Sequence, residues 1–213
     1  FEGALDHLRL LEHVDSAGMS GRLMQLRLQE ARHLRSQNEF EAALQFYIEQ
    51  LIEETPDIAR DRIRVTLEEA ESFLRSRQEL DKLEELARLI ETYGLVHVPE
   101  FSRGRLGEIW LETGLLHVNN GRPEDAGRAF HRAGEYDPER AGRQLSLMDY
   151  RDRKLVLDAG DLVGHYELGV WAIEKNLFDE AETHFGIALD SELIGNNAKQ
   201  YMETIRHMKA ERE

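Results

Sequence analysis

Apolar and small residues recur along this chain three and four positions apart, the period of a helix face. "FEGA" occupies positions 1–4, "FEAA" positions 40–43 and "FDEA" positions 178–181. In each, an aromatic residue is followed three positions later by alanine, and an apolar or aromatic side chain follows that alanine at +4: Leu8, Tyr47 and Phe185. Leu11 and Ala188 continue two of the series at +7, whereas Gln50 breaks the third. Such offsets put the residues on one stripe of an α-helix.

A second set of small residues stands twelve positions upstream. Ala31 precedes Ala43, Gly114 precedes Ala126, Gly169 precedes Ala181, and Ala70 lies thirteen before Leu83. Small side chains at both positions let two antiparallel helices approach closely. Between the paired segments run short links, "SQNE", "NNGRPED" and "EKNL", whose Asn and Gly suit a tight helix–helix turn. The repeating unit is thus a helical hairpin, which cannot bury its apolar face alone and must stack on others.

Segment 107–140, "GEIWLETGLLHVNNGRPEDAGRAFHRAGEYDPER", resembles a tetratricopeptide repeat through Trp110, Gly114, Gly121, Ala126, Phe130, Ala133 and Pro138. His117 departs from the family's tyrosine position. Segment 162–195 resembles the same repeat through Leu168, Gly169, Ala181, Phe185 and Ala188, without the closing proline. Segment 24–57 is degenerate, with Ala31, Phe40, Ala43 and Tyr47 in place and Pro56 one position late. Segment 63–96 rests on Ala70, Phe73, Leu80, Ala87 and Ile90. The resemblance implies an all-α, right-handed α-solenoid of such hairpins with extra flanking helices.

Residues 1–14 resemble half a hairpin, as expected of a chain cut from a longer array. Residues 196–213 carry Ala198, Met202 and Ile205 on one helical face, which predicts a terminal helix over the last apolar surface. From Ala126 to Ala181 is 55 residues, about twenty more than one repeat requires. The excess, 141–161, follows Asp137–Pro138, an N-cap with proline at the first helical position. It predicts an extra helix ending near Gly160, either redirecting the array or filling it.

Composition narrows the function. With 27 basic and 42 acidic residues the net charge is −15, which disfavours nucleic-acid partners and suits solubility or a basic partner. Four prolines in 213 residues favour helix, and no apolar run is long enough to cross a bilayer. The chain has no cysteine, so disulfides, thiolate metal sites and a cysteine nucleophile are excluded. Cytoplasm is favoured over periplasm only because no export feature is visible.

No nucleophile elbow, phosphate loop or dinucleotide fingerprint occurs, so no catalytic residue, cofactor or metal is assigned. Glu180 and His184, four apart on a predicted helix, are read as an ion pair or a packed histidine rather than as metal ligands. His117 is read as a satisfied core residue.

What remains is the inner face. The resemblance implies that the first helix of each hairpin lines a groove. Its positions would be Gln25, Leu28, Arg32, Arg35 and Ser36, then Arg64, Leu67, Glu71, Leu74 and Arg75. Glu108, Leu111, Leu115, Val118 and Asn119 follow, then Val163, Tyr166, Val170, Ile173 and Glu174. The strongest binding candidates are Arg32, Arg35, Arg64, Arg75, Leu111, Leu115, Asn119, Tyr166 and Val170. Arginine lies toward one end and apolar residues toward the other, which suits a peptide with an acidic part followed by an apolar part. Equally, the extra helix could cover the apolar residues and make them core.

The function expected is a protein-binding scaffold or adaptor. A self-associating array and the recruiting arm of an enzyme whose catalytic domain lies outside this chain are the alternatives.

Overall fold

The computed structural model describes residues 16–77 and 79–211; the half hairpin expected over 1–14 lies outside them. Every regular element among the described residues is helical: α1 Ser16–Ser36, α2 Phe40–Leu51, α3 Pro56–Arg75 and α4 Leu80–Leu89. A π turn, Ile90–Gly94, prolongs α4 into the single turn α5, Leu95–His97. Then come α6 Pro99–Asn119, α7 Pro123–Gly134, α8 Pro138–Leu155, α9 Leu162–Glu174, α10 Phe178–Ala188 and α11 Gly195–Ala210.

Local chemistry sets these boundaries. Pro56, Pro123 and Pro138 occupy the opening turns of α3, α7 and α8, where a missing N–H costs nothing. The Asp137 carboxylate accepts the N–H of Arg140 at 3.1 Å, and Asp161 accepts that of Gly164 at 2.9 Å, capping α8 and α9.

Three hairpin turns share one construction. Asn38, Gly121 and Asn176 take positive φ of 63°, 69° and 58°, each five residues before Ala43, Ala126 or Ala181. The next N–H reaches back five residues to a helix carbonyl: Glu39 to Leu34 at 3.0 Å, Arg122 to His117 at 2.9 Å, Leu177 to Ala172 at 2.8 Å. This is the left-handed closure that ends a helix and satisfies its last carbonyls. Asn and Gly are the residues that tolerate it at least cost.

The chain divides into two compact units, one through Ile109 and one from Trp110 on. In the first, α1 packs on α2, α2 on α3 and α3 on α4. Ala31, Ala43, Tyr47, Ile63, Leu67, Ala70, Leu83 and Leu86 fill its core and are fully buried.

In the second unit α7 packs on α8, α9 on α10 and α10 on α11. A Cβ added at Gly114 would stand 2.3 Å from the Phe130 ring, and one at Gly169 would stand 3.0 Å from Phe185. Both glycines precede their aromatic by sixteen residues, so the same close approach is built twice. Tyr150, Leu168, Phe178, Phe185, Ala198 and Ile205 form one apolar cluster, to which α8, α9, α10 and α11 all contribute.

One expectation shifts. The extra helix runs over Pro138–Leu155 and stops five residues short of Gly160, where the Asp158 carboxylate accepts the Gly160 N–H at 2.9 Å and turns the chain. The terminal helix begins at Gly195 and buries Ala198 and Ile205.

Candidate functional site

Three of the four arginines expected along the first unit's inner face are engaged with acids of the same unit. Arg35 of α1 donates through Nε to Glu69 of α3 at 2.7 Å. Arg64 lies 2.9 Å from both Asp61 and Glu68 of its own helix. Arg75 bonds Glu71 at 2.7 Å and reaches toward Glu108 at 3.9 Å. Arg32 is exposed on α1. Leu67, Glu71 and Leu74, placed on the groove by sequence, are buried, because α3 turns that face into the core. Most of the basic stripe is therefore spent inside the fold.

In the second unit the candidates separate. Tyr166 and Val170 are half-buried and pack against the apolar cluster. Helix α11 lays Tyr201 edge-on to Tyr166, centroids 5.9 Å apart, and flat on Phe185 at 5.0 Å. The surface that sequence left open there is occupied by the terminal helix.

Leu111 and Leu115 stand apart from those two. Leu111 is buried, Leu115 is 45% exposed, and Asn119 is exposed at the end of α6. Leu111 and Leu115 line a groove of about 270 Å³ with Arg140, Arg143, Gln144 and Leu147 of α8. The four α8 positions are spaced i, i+3, i+4 and i+7, one face of a helix. Beside this face of α8, Leu111 is buried and Leu115 stays open. The α8 face was legible in that spacing but lay outside the repeat pattern.

The histidines form a second feature. His165 of α9 and His184 of α10 are both buried, their rings stacked with centroids 4.9 Å apart. Their Nδ1 atoms are 2.7 Å apart, and the Tyr150 hydroxyl of α8 lies 2.9 Å from Nε2 of His184. A neutral pair satisfies this, one ring donating and the other accepting. Nε2 of His165 is buried with no hydrogen-bond partner among the described residues. Burial first, then the electrostatic influence of the neighbouring His165 and Lys154, hold the His184 pKa down at about 4. Both ring nitrogens of His184 are committed, so Glu180 and His184 do not act together. Among the described residues no group of three or more His, Asp or Glu could hold a metal ion.

His117 is buried, with Nδ1 3.9 Å from the Asp125 carboxylate. No described helix is long and apolar enough to cross a membrane. No protein-family model matches the chain, and no curated protein matches it.

Proposed function

We propose that this chain is a protein–protein interaction module of the tetratricopeptide type, a right-handed solenoid serving as scaffold or adaptor without catalysis of its own. The groove between α6 and α8 would receive a peptide or a partner helix. The observation that carries the reading is Leu115, a large aliphatic side chain left 45% exposed on a helix beside Leu111 and Leu147, with polar side chains at the rim. An apolar floor with a polar rim is the usual anatomy of a peptide-binding groove.

The test is capture of partners from the native cell extract by the parent chain, by Leu115→Glu and by Leu193→Glu. Leu193 is 88% exposed elsewhere in the second unit and serves as the control. A partner retained by the control and lost from a still-helical Leu115→Glu supports the groove. Equal capture by all three removes it.

A second reading, self-association, draws on Leu155 and Val156 at the end of α8, 82% and 87% exposed. Light scattering over a concentration series separates the two.

A further inference from the structure

Arg140 and Arg143 border two hollows at once. One is the Leu111–Leu115–Leu147 groove. The other is a wider cleft of about 780 Å³ between the first turns of α8 and the end of α9, where Glu139, Ser146, Glu174, Lys175 and Asn176 line the walls. In a chain of net charge −15, three cations here face two acids. Local charge of the minority sign, beside an apolar floor, marks what the surface recognises.

The two guanidinium groups are differently placed from those of the first unit. Arg143 has no ion-pair partner among the described residues; its charge acts at longer range on Asp179. Arg140 lies 3.6 Å from Asp137, whose carboxylate already caps α8. Both side chains are exposed and available to fork onto a carboxylate. Their spacing places them one turn from Gln144 and Leu147, so a ligand apolar at the groove meets cations immediately beside it.

Resting on the groove proposed above, the geometry points to its ligand as an acidic–apolar peptide segment. Its aliphatic side chains would fill the space beside Leu111, Leu115 and Leu147. Its flanking Asp or Glu carboxylates would pair with Arg140 and Arg143, with Lys175 across the wider cleft. The chemistry expected at the first unit's arginines is transferred to α8, where Arg140 holds only a 3.6 Å contact to Asp137 and Arg143 has no ion-pair partner among the described residues.

The experiment uses the full chain and three labelled pools of peptides about twelve residues long, Leu-rich and carrying Glu, Gln or Lys at the remaining positions. Fluorescence anisotropy is read at low and high salt. The expected result is binding of the Glu pool roughly tenfold tighter than of the Gln pool, with the Lys pool weakest. Raising the salt should narrow that gap. Arg140→Gln with Arg143→Gln should weaken the Glu pool roughly tenfold and leave the Gln pool unchanged, and Lys175→Gln should act the same way to a smaller extent.

Equal binding of the Glu and Gln pools overturns the acidic ligand, as does a Glu preference that survives both sets of Arg and Lys variants. If that equal binding is still lost with Leu115→Glu, the groove stands and only its charge chemistry falls. If no pool binds, the acidic–apolar ligand is discarded, while capture from extract still judges the groove separately.

Discussion

Gly114 shows how narrowly a single position is set. A methyl group there would stand 2.3 Å from the Phe130 ring, whereas at Gly169 the corresponding distance to Phe185 is 3.0 Å. Gly127 and Gly142, also within helices, have nothing within 4 Å of an added Cβ. Replacing glycine by alanine in a helix gains up to about 1 kcal/mol, and overpacking costs about 1–3 kcal/mol. Gly114→Ala is therefore expected to lose about 1–2 kcal/mol, Gly169→Ala less, and Gly127→Ala to gain. Chemical denaturation of the three variants checks the order; a Gly114→Ala as stable as the parent would contradict the close approach. The His165–His184 pair makes a second claim at this scale. A histidine pKa depressed to about 4 in the fold, against about 6.5 when unfolded, means that the unfolded chain takes up the proton first. Stability is then unaffected above about pH 6.5 and falls toward pH 4, by at most about 1.4 kcal/mol per pH unit from this one proton. His184→Gln should flatten the slope over that window, measured by unfolding at pH 7.5, 6 and 5; an unchanged slope would show that His184 titrates normally.

The turns and the extra helix belong to the scale of elements. Asn38, Gly121 and Asn176 occupy equivalent left-handed positions, so Asn38→Ala should cost about 1–2 kcal/mol and Asn38→Gly close to nothing. Thermal melts of that pair distinguish a conformational requirement from a side-chain one. Sequence announced these turns through the short Asn- and Gly-bearing links between paired helices, and it announced α8 through Asp137–Pro138. It could not announce where α8 ends, since Asp158 competes with the helix for the backbone only once the chain has turned. Nor could local spacing reveal that Arg35 meets Glu69 on α3, or that Tyr201 of α11 covers Tyr166. Those pairings join residues distant in sequence, as does the Tyr150–His184–His165 contact, for which "LVGHYE" offers no local signal. Leu115 stayed open and Tyr166 did not because α8 approaches α6 with Arg140, Arg143 and Gln144 at the rim, while α11 brings an aromatic ring.

For the whole molecule, a net charge of −15 opposes contact between copies at low salt, so sedimentation at low ionic strength is expected to give a monomer. A concentration-dependent shift to dimer would favour self-association through Leu155 and Val156 instead. A binding groove between α6 and α8 is read out by NMR of the chain with labelled leucine methyls, titrated with the Glu–Leu peptide pool. Shifts are expected at Leu111, Leu115 and Leu147, with Leu155 and Leu193 unmoved. Shifts confined to Leu155 or Leu193, or spread evenly over all leucines, would contradict a binding groove between α6 and α8.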